Sequence, residues 1–122
     1  MLKIKLIKDY CGVYICEDFK SHELDILFNF LQSDIGGYNS AFIKWILDEE
    51  SLEIGSNLTY LEKQNDNIVL TDLMDDNPER MCVLSKSNFL KLLDKWKKIY
   101  EKKPQQLIMS KKNNEFVLEV EI

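Results

Sequence analysis

Leucine and isoleucine alternate with lysine at the start of the chain, over residues 2–7. A period of two places every second side chain on the same face of a strand, so this segment predicts a half-buried strand. Further strands are predicted where short apolar runs are bounded by turn-forming residues such as Gln64-Asn65-Asp66. These strands span residues 12–16, 57–63, 67–73 and 80–84.

Apolar residues at helical spacing mark two other segments. Residues 20–33 carry such a stripe behind Ser21, whose hydroxyl can cap the first turn, and Gly36-Gly37 follows as a stop. The clearest helix begins after Ser85 and is stopped by Pro104. Its apolar stripe consists of Phe89, Leu92, Leu93, Trp96, Ile99 and Tyr100.

The remaining segments complete an α+β pattern. Residues 41–48 fit either a short helix or a buried strand, because the run is too short for its period to decide. Residues 106–110 and 115–122 predict a closing hairpin. The sum is an antiparallel sheet of about five to six strands with two to three helices packed on it. A length of 122 residues suits one core, so we expect a single domain over residues 1–122.

The composition is that of a globular protein, with 45% hydrophobic and 30% charged residues. Lysines interrupt the apolar residues at the N-terminus, so we expect no secretory signal there. No stretch of the sequence approaches the ~20 apolar residues of a membrane span. These patterns predict a cytoplasmic protein without a membrane partner.

Side chains that commonly carry chemistry are few. Cys11, Cys16 and Cys82 have no CxxC spacing, which favours three buried thiols over a disulfide framework or a zinc site. His22 is the single histidine, and a Cys–His pair could form only if folding brings it to a cysteine. We therefore predict no catalytic residue, no metal ligand and no cofactor, and a protein that is not an enzyme.

An acidic loop provides the alternative of a metal-assisted enzyme. Asp72, Asp75 and Asp76 resemble a short loop that could hold Ca²⁺ or Mg²⁺. An EF-hand, however, needs ligands at fixed alternate positions, a central glycine and a final glutamate. Because this loop has none of that spacing, a solvated loop is the better interpretation.

Charge is distributed unevenly along the chain. The net charge is +3 over residues 1–8, −12 over residues 9–85 and +4 over residues 86–122. If the sheet brings the acidic element ends together, they form one negative face. The acids concerned form two clusters, Asp48, Glu49, Glu50 and Glu53, and then Asp72, Asp75, Asp76 and Glu79.

Such a face would repel nucleic acid and attract a basic protein. Complementary fields raise association rates by ~10 to 10³-fold, whereas affinity depends on buried, usually aromatic anchors. The aromatic candidates near the acidic segments are Tyr38, Trp45 and Tyr60. The alternative interpretation is that the charges serve only solubility.

The last two-thirds of the chain combine strands, a capped helix and a hairpin in a familiar order. The segments are 55–63 (GSNLTYLEK), 68–73 (IVLTDL) and 84–96 (LSKSNFLKLLDKW), followed by Lys103-Pro104 and the closing strand pair. This pattern resembles the immunity proteins of bacterial contact-dependent growth inhibition and related polymorphic toxin systems.

The resemblance implies a cytoplasmic antidote that binds one cognate toxin domain, often a nuclease, and blocks its active site or substrate surface. It carries over no contact residue, so the partner-binding residues expected here are the two acidic clusters with Trp45 and Tyr60. Free of its partner, the chain is expected to be a monomer or weak homodimer. The alternative is a regulatory or scaffold subunit that uses an exposed sheet edge or the Trp96 helix.

Overall fold

The computed structural model of the protein describes residues 2–36, 40–56, 58–75, 77 and 79–120. Within these residues the chain forms the helices α1 (His22–Asn29), α2 (Ser40–Leu47) and α3 (Lys86–Lys102), and α1 continues into a π-helical segment (Phe30–Ile35). The strands are β1 (Leu2–Lys8), β2 (Tyr14–Ile15), β3 (Glu53–Gly55), β4 (Thr59–Gln64), β5 (Asn67–Asp72), β6 (Met81–Ser85), β7 (Gln106–Lys112) and β8 (Glu115–Val120).

The strands form two antiparallel sheets and not the single sheet that the sequence predicted. The first sheet has the order β2-β1-β7-β8 and the second β3-β4-β5-β6. The α+β class is confirmed, but the predicted five to six strands are corrected to eight in the described part of the chain. A period of two shows which side chains face the core without showing which strands pair. Strand β1, for example, pairs with β7 from the other end of the sequence.

The helical predictions are confirmed, and the ambiguous residues 41–48 lie mainly in helix α2. The hydroxyl of Ser21 accepts a hydrogen bond from the Leu24 amide, and that of Ser85 accepts one from the Asn88 amide. Both serines thus satisfy amides that the first helical turn leaves without partners. Strand β3 was not predicted, because three residues are too few to show a period.

Helix α1 and the π-helical segment lie at the centre of the protein. The Gln32 side chain bonds to the backbone of Tyr14 in the first sheet. The Asp34 carboxylate accepts hydrogen bonds from Ser56 and Leu58, in the turn before β4 of the second sheet. Residues two apart lie on nearly opposite sides of a helix, so the two sheets contact this segment from opposite sides. The segment contributes Leu24, Ile26, Leu27, Phe28, Phe30, Leu31 and Ile35 to one shared core.

Two side-chain amides occupy the outer edges of the first sheet. Gln32 accepts a hydrogen bond from the Tyr14 amide at 2.7 Å and donates to the Tyr14 carbonyl at 3.0 Å. Asn88 of α3 makes the same pair of bonds with the backbone of Phe116 in β8, both at 2.8 Å. Each amide takes the place of a neighbouring strand, so a further strand cannot pair at these residues.

We predict that Asn88→Ala lowers the free energy of unfolding by about 2–3 kcal/mol, because the buried amide and carbonyl of Phe116 lose their partners. Urea denaturation followed by circular dichroism measures this change. Ser87→Ala is the matched control, since Ser87 is exposed in the same helical turn, and its effect should stay within about 0.5 kcal/mol. Equal effects of the two substitutions would show that the Asn88–Phe116 pair does not stabilise the edge.

Candidate protein-binding surface

The second sheet has one face that points away from the core. Leu61, Leu70 and Cys82 are paired neighbours on β4, β5 and β6, and all three are fully buried. Because side chains alternate along a strand, the residues on either side of them point outward. The outer face of the second sheet consists of Glu53, Tyr60, Glu62, Val69, Thr71, Met81 and Val83, of which Val69, at its centre, is buried.

Two carboxylates lie opposite one another on this face. Glu53 pairs with Glu62 in the register of β3 and β4, and like charges at opposed positions destabilise a sheet. Neutral donors hold both groups: the Tyr60 hydroxyl donates to Glu53, and Gln64 Nε2 donates to Glu62 Oε1 at 3.0 Å. Neither carboxylate takes part in the ion pairs found between described residues. Glu53 is exposed and Glu62 is half-buried, so a cation from outside can reach both carboxylates.

The phenol of Tyr60 responds to this negative charge. Its hydrogen bond to Glu53, followed by desolvation and the charges of Glu53 and Glu62, raises the pKa of Tyr60 from 10.0 to about 12. The hydroxyl therefore stays protonated, and keeps donating to the carboxylate, to a higher pH than an ordinary phenol.

Five members of the outer face were not predicted from the sequence, namely Glu62, Val69, Thr71, Met81 and Val83. The period of two in a strand places Glu62 on the same side as Tyr60, opposite the apolar Leu61, and this spacing could have identified it. Met81 and Val83 have no such signal, because their exposure depends on which strands pair.

The first acidic cluster follows the C-terminal end of α2. Asp48, Glu49 and Glu50 are exposed, and Asp48 Oδ1 accepts a hydrogen bond from the Glu50 amide at 3.0 Å. Trp45 was expected to be an anchor for the partner, but its side chain is only 5% exposed. The apolar side of α2 packs into the core, so this ring is not accessible to a partner.

A buried lysine beneath this cluster was not anticipated from the sequence. Lys63 donates hydrogen bonds to the carbonyls of Trp45 and Asp48, and its Nζ lies 4.9 Å from the centre of the Trp45 ring. A cation at the C-terminus of a helix is stabilised by the helix dipole. Burial, then the charge of Lys86, lowers the pKa of Lys63, and the carboxylates of Asp48 and Glu49 oppose this shift.

The second acidic cluster lies at the other end of the same sheet. Asp72 ends β5, and Asp75 and Glu79 follow in the loop before β6. The Nε of Arg80 lies 3.1 Å from Oδ2 of Asp75, and its Nη2 lies 3.1 Å from Oδ2 of Asp25. The charge of Asp75 is therefore partly compensated within the chain.

The two clusters do not meet in the single negative face that the charge pattern suggested. Lys63, which contacts the first cluster, and Thr59, which pairs with Asp72, are four residues apart on β4. This separation is about 14 Å, because β4 and β5 hold the clusters at opposite ends. The clusters flank the outer face of the second sheet, where Glu53 and Glu62 lie. Two further residues of the sequence prediction lie outside the described part of the chain, Asp76 and Tyr38.

Potentially reactive side chains are dispersed. No group of three or more His, Cys, Asp or Glu residues could hold a metal ion within the described ranges. Cys82 is buried as predicted, and burial raises the pKa of its thiol. The prediction of three buried thiols is otherwise corrected, because Cys16 is half-buried and Cys11 lies exposed in a turn. His22 is exposed at the start of α1.

No protein-family model, curated protein or solved structure matches the chain. In the part of the chain that the structure describes, no helix is long and apolar enough to cross a membrane. The geometry of the outer face of the second sheet is therefore the basis for a functional proposal.

We predict that Glu53→Gln lowers the pKa of Tyr60 from about 12 toward 10, because a charged acceptor is replaced by a neutral one. In the unmodified protein, the stability that this raised pKa contributes is present below pH ~10 and is lost as the pH rises through ~12. An NMR titration of the tyrosine rings, with Tyr60→Phe to assign the signal, measures the shift. Glu50→Gln is the control and should leave this pKa unchanged. An unchanged value in Glu53→Gln would contradict the hydrogen bond.

Proposed function

We propose that this chain is a toxin-neutralising immunity protein that binds a cognate basic toxin domain through the outer face of the second sheet. The observation that carries the proposal is the opposed pair Glu53 and Glu62, oriented by neutral donors on an exposed face. Stability alone would favour a cation or a neutral residue at one of these positions. A surface that receives cations from a partner, in contrast, gains attraction from both acids.

A nuclease is the kind of toxin that such a surface fits best. A protein that binds nucleic acid presents lysines and arginines to the phosphates, and an acidic inhibitor can occupy the same groove. The chain's net charge of −5 and the flanking acidic clusters add to the attraction. Complementary fields of this kind raise the association rate more than the affinity.

Affinity would come from the apolar part of the outer face. Met81 and Val83 on β6 are 38% and 39% exposed, and the half-buried ring of Tyr60 lies in the same face. Methionine adapts its shape to a partner surface, and tyrosine is common among residues that dominate binding energy. These three side chains would take the anchoring role that the sequence suggested for Trp45.

The second candidate, a scaffold or regulatory subunit, was expected to use a sheet edge or the Trp96 helix. The edges of the first sheet are occupied at Tyr14 and Phe116 by side-chain amides. Trp96 is 2% exposed and donates a hydrogen bond to the Gly36 carbonyl. Tyr14 and Phe116 in the first sheet and the buried Trp96 ring are therefore closed to such a partner, which supports the outer face of the second sheet as the docking surface.

Reversing both opposed charges tests the proposal. The double variant Glu53→Lys, Glu62→Lys should associate at least about tenfold more slowly at low salt with the proposed basic toxin domain, because steering attraction becomes repulsion. Stopped-flow mixing with a catalytically inactive toxin measures the rate, and toxin co-expression measures the loss of protection.

A matched control variant makes the same change in net charge at residues outside the second sheet. Glu17→Lys with Glu119→Lys alters exposed residues outside the second sheet and should slow association less than about threefold. Equal slowing by both double variants would show that only net charge matters. Unaltered association of the Glu53, Glu62 variant would remove the outer face as the docking surface.

A further inference from the structure

One end of the protein projects apolar side chains from a tight turn. The turn between β1 and β2 carries Tyr10, which is 100% exposed, and Val13, which is 45% exposed. Asp9 Oδ1 accepts hydrogen bonds from the amides of Cys11 and Val13, at 2.8 and 3.0 Å. Because these two hydrogen bonds fix the backbone of the turn, the Tyr10 side chain points into solvent and does not pack against the core.

The C-terminal end of α3 lies against the same turn. Lys8 Nζ donates to the Lys103 carbonyl at 2.7 Å, joining residues 95 positions apart. Gln105 Nε2 donates to the Lys8 carbonyl at 2.8 Å, and the Tyr14 hydroxyl donates to the Pro104 carbonyl. These contacts hold the turn beside three further exposed residues, Tyr100, Lys102 and Lys103.

We propose that this tyrosine–lysine end docks reversibly on an anionic membrane surface. It is formed by Lys8, Tyr10, Val13, Tyr100, Lys102 and Lys103. Tyrosine is enriched where membranes meet water, and each lysine near an anionic surface strengthens binding about fivefold. Docking of this kind needs no membrane-spanning helix. The surface is separate from the second sheet, so it can act alongside the function proposed above.

The apolar side chain beside these lysines favours lipid over nucleic acid. An aliphatic side chain such as Val13 cannot stack on a base, but it can enter the boundary of a bilayer.

The electrostatic attraction to an anionic surface is modest, because the chain as a whole carries a net charge of −5, so the apolar and the basic part of this end must both contribute. Three lysines are opposed here by Asp9, whose carboxylate is engaged by the turn, and by Glu101. Peripheral binding generally needs two signals, an apolar one and a basic one. Tyr10 with Val13 provides the first, and Lys102 with Lys103 provides the second.

Co-sedimentation with vesicles tests the proposal on the intact chain. Vesicles of phosphatidylcholine and phosphatidylglycerol in equal amounts should bind the protein at least about tenfold more strongly than phosphatidylcholine alone. Tyr10→Trp provides a second measurement, because its emission should shift to the blue only with the anionic vesicles. The native Trp45 and Trp96 are buried and give a constant background.

Charge and apolar variants locate the surface. Lys102→Glu with Lys103→Glu should lower vesicle binding by about tenfold or more, and Tyr10→Ser with Val13→Ser should lower it severalfold. Lys91→Glu with Lys112→Glu makes the same charge change on exposed residues away from the turn and should leave binding nearly unaltered. Circular dichroism confirms that each variant is folded.

Three results would overturn the proposal. Equal binding to both vesicle compositions would exclude recognition of anionic lipid. Equal losses in the two double charge variants would show that binding does not reside at this end. Binding of a single-stranded oligonucleotide that depends on Tyr10 and Lys102, without vesicle binding, would assign the surface to nucleic acid.

Discussion

Burial of the wide apolar face of one helix is the constraint on which the structure depends. Helix α1 and the π-helical segment bury seven apolar side chains, and a face this wide must be covered by more than one element. The two sheets supply part of the cover. Helix α3 supplies more through edge-to-face packing of Phe28 on Trp96 and stacking of Phe30 on Phe89, with ring centres 5.7 and 5.9 Å apart. Because the inner faces of both sheets serve this one purpose, their outer faces lie on the surface of the protein.

The local periodicity of the sequence predicted most of the helices and strands, but it could not predict how the strands pair into two sheets. The alternation in β1 and the stripe of α3 identified which side chains are buried, and Ser21 and Ser85 marked the helix starts. The division into two sheets depends on what packs on the far side of α1. That information is not in any single segment. The π-helical continuation of α1 likewise has no local signature and appears only with its contacts to both sheets.

The candidate surface was predicted in composition but not in arrangement. The acidic character of the middle of the chain was evident, yet only pairing of β3 with β4 places Glu53 opposite Glu62. Trp45 is the opposite case. Its acidic neighbours in the sequence suggested that it is exposed, whereas the orientation of α2 places its ring in the core. The burial of Lys63 could not be predicted either. A lysine in a strand ordinarily faces solvent, whereas Lys63 donates hydrogen bonds to the carbonyls at the end of α2.

The amides of Gln32 and Asn88 bear on whether copies of this protein associate through their sheet edges at high concentration. A strand with unpaired outer backbone groups is a template for cross-β growth, in which copies stack without limit. In the first sheet that hazard is countered at Tyr14 and Phe116 by two side chains and not by a neighbouring strand. Resistance to fibril formation would then rest on a few atoms, and chemical damage to either amide, such as deamidation, would open a place for a second molecule to add.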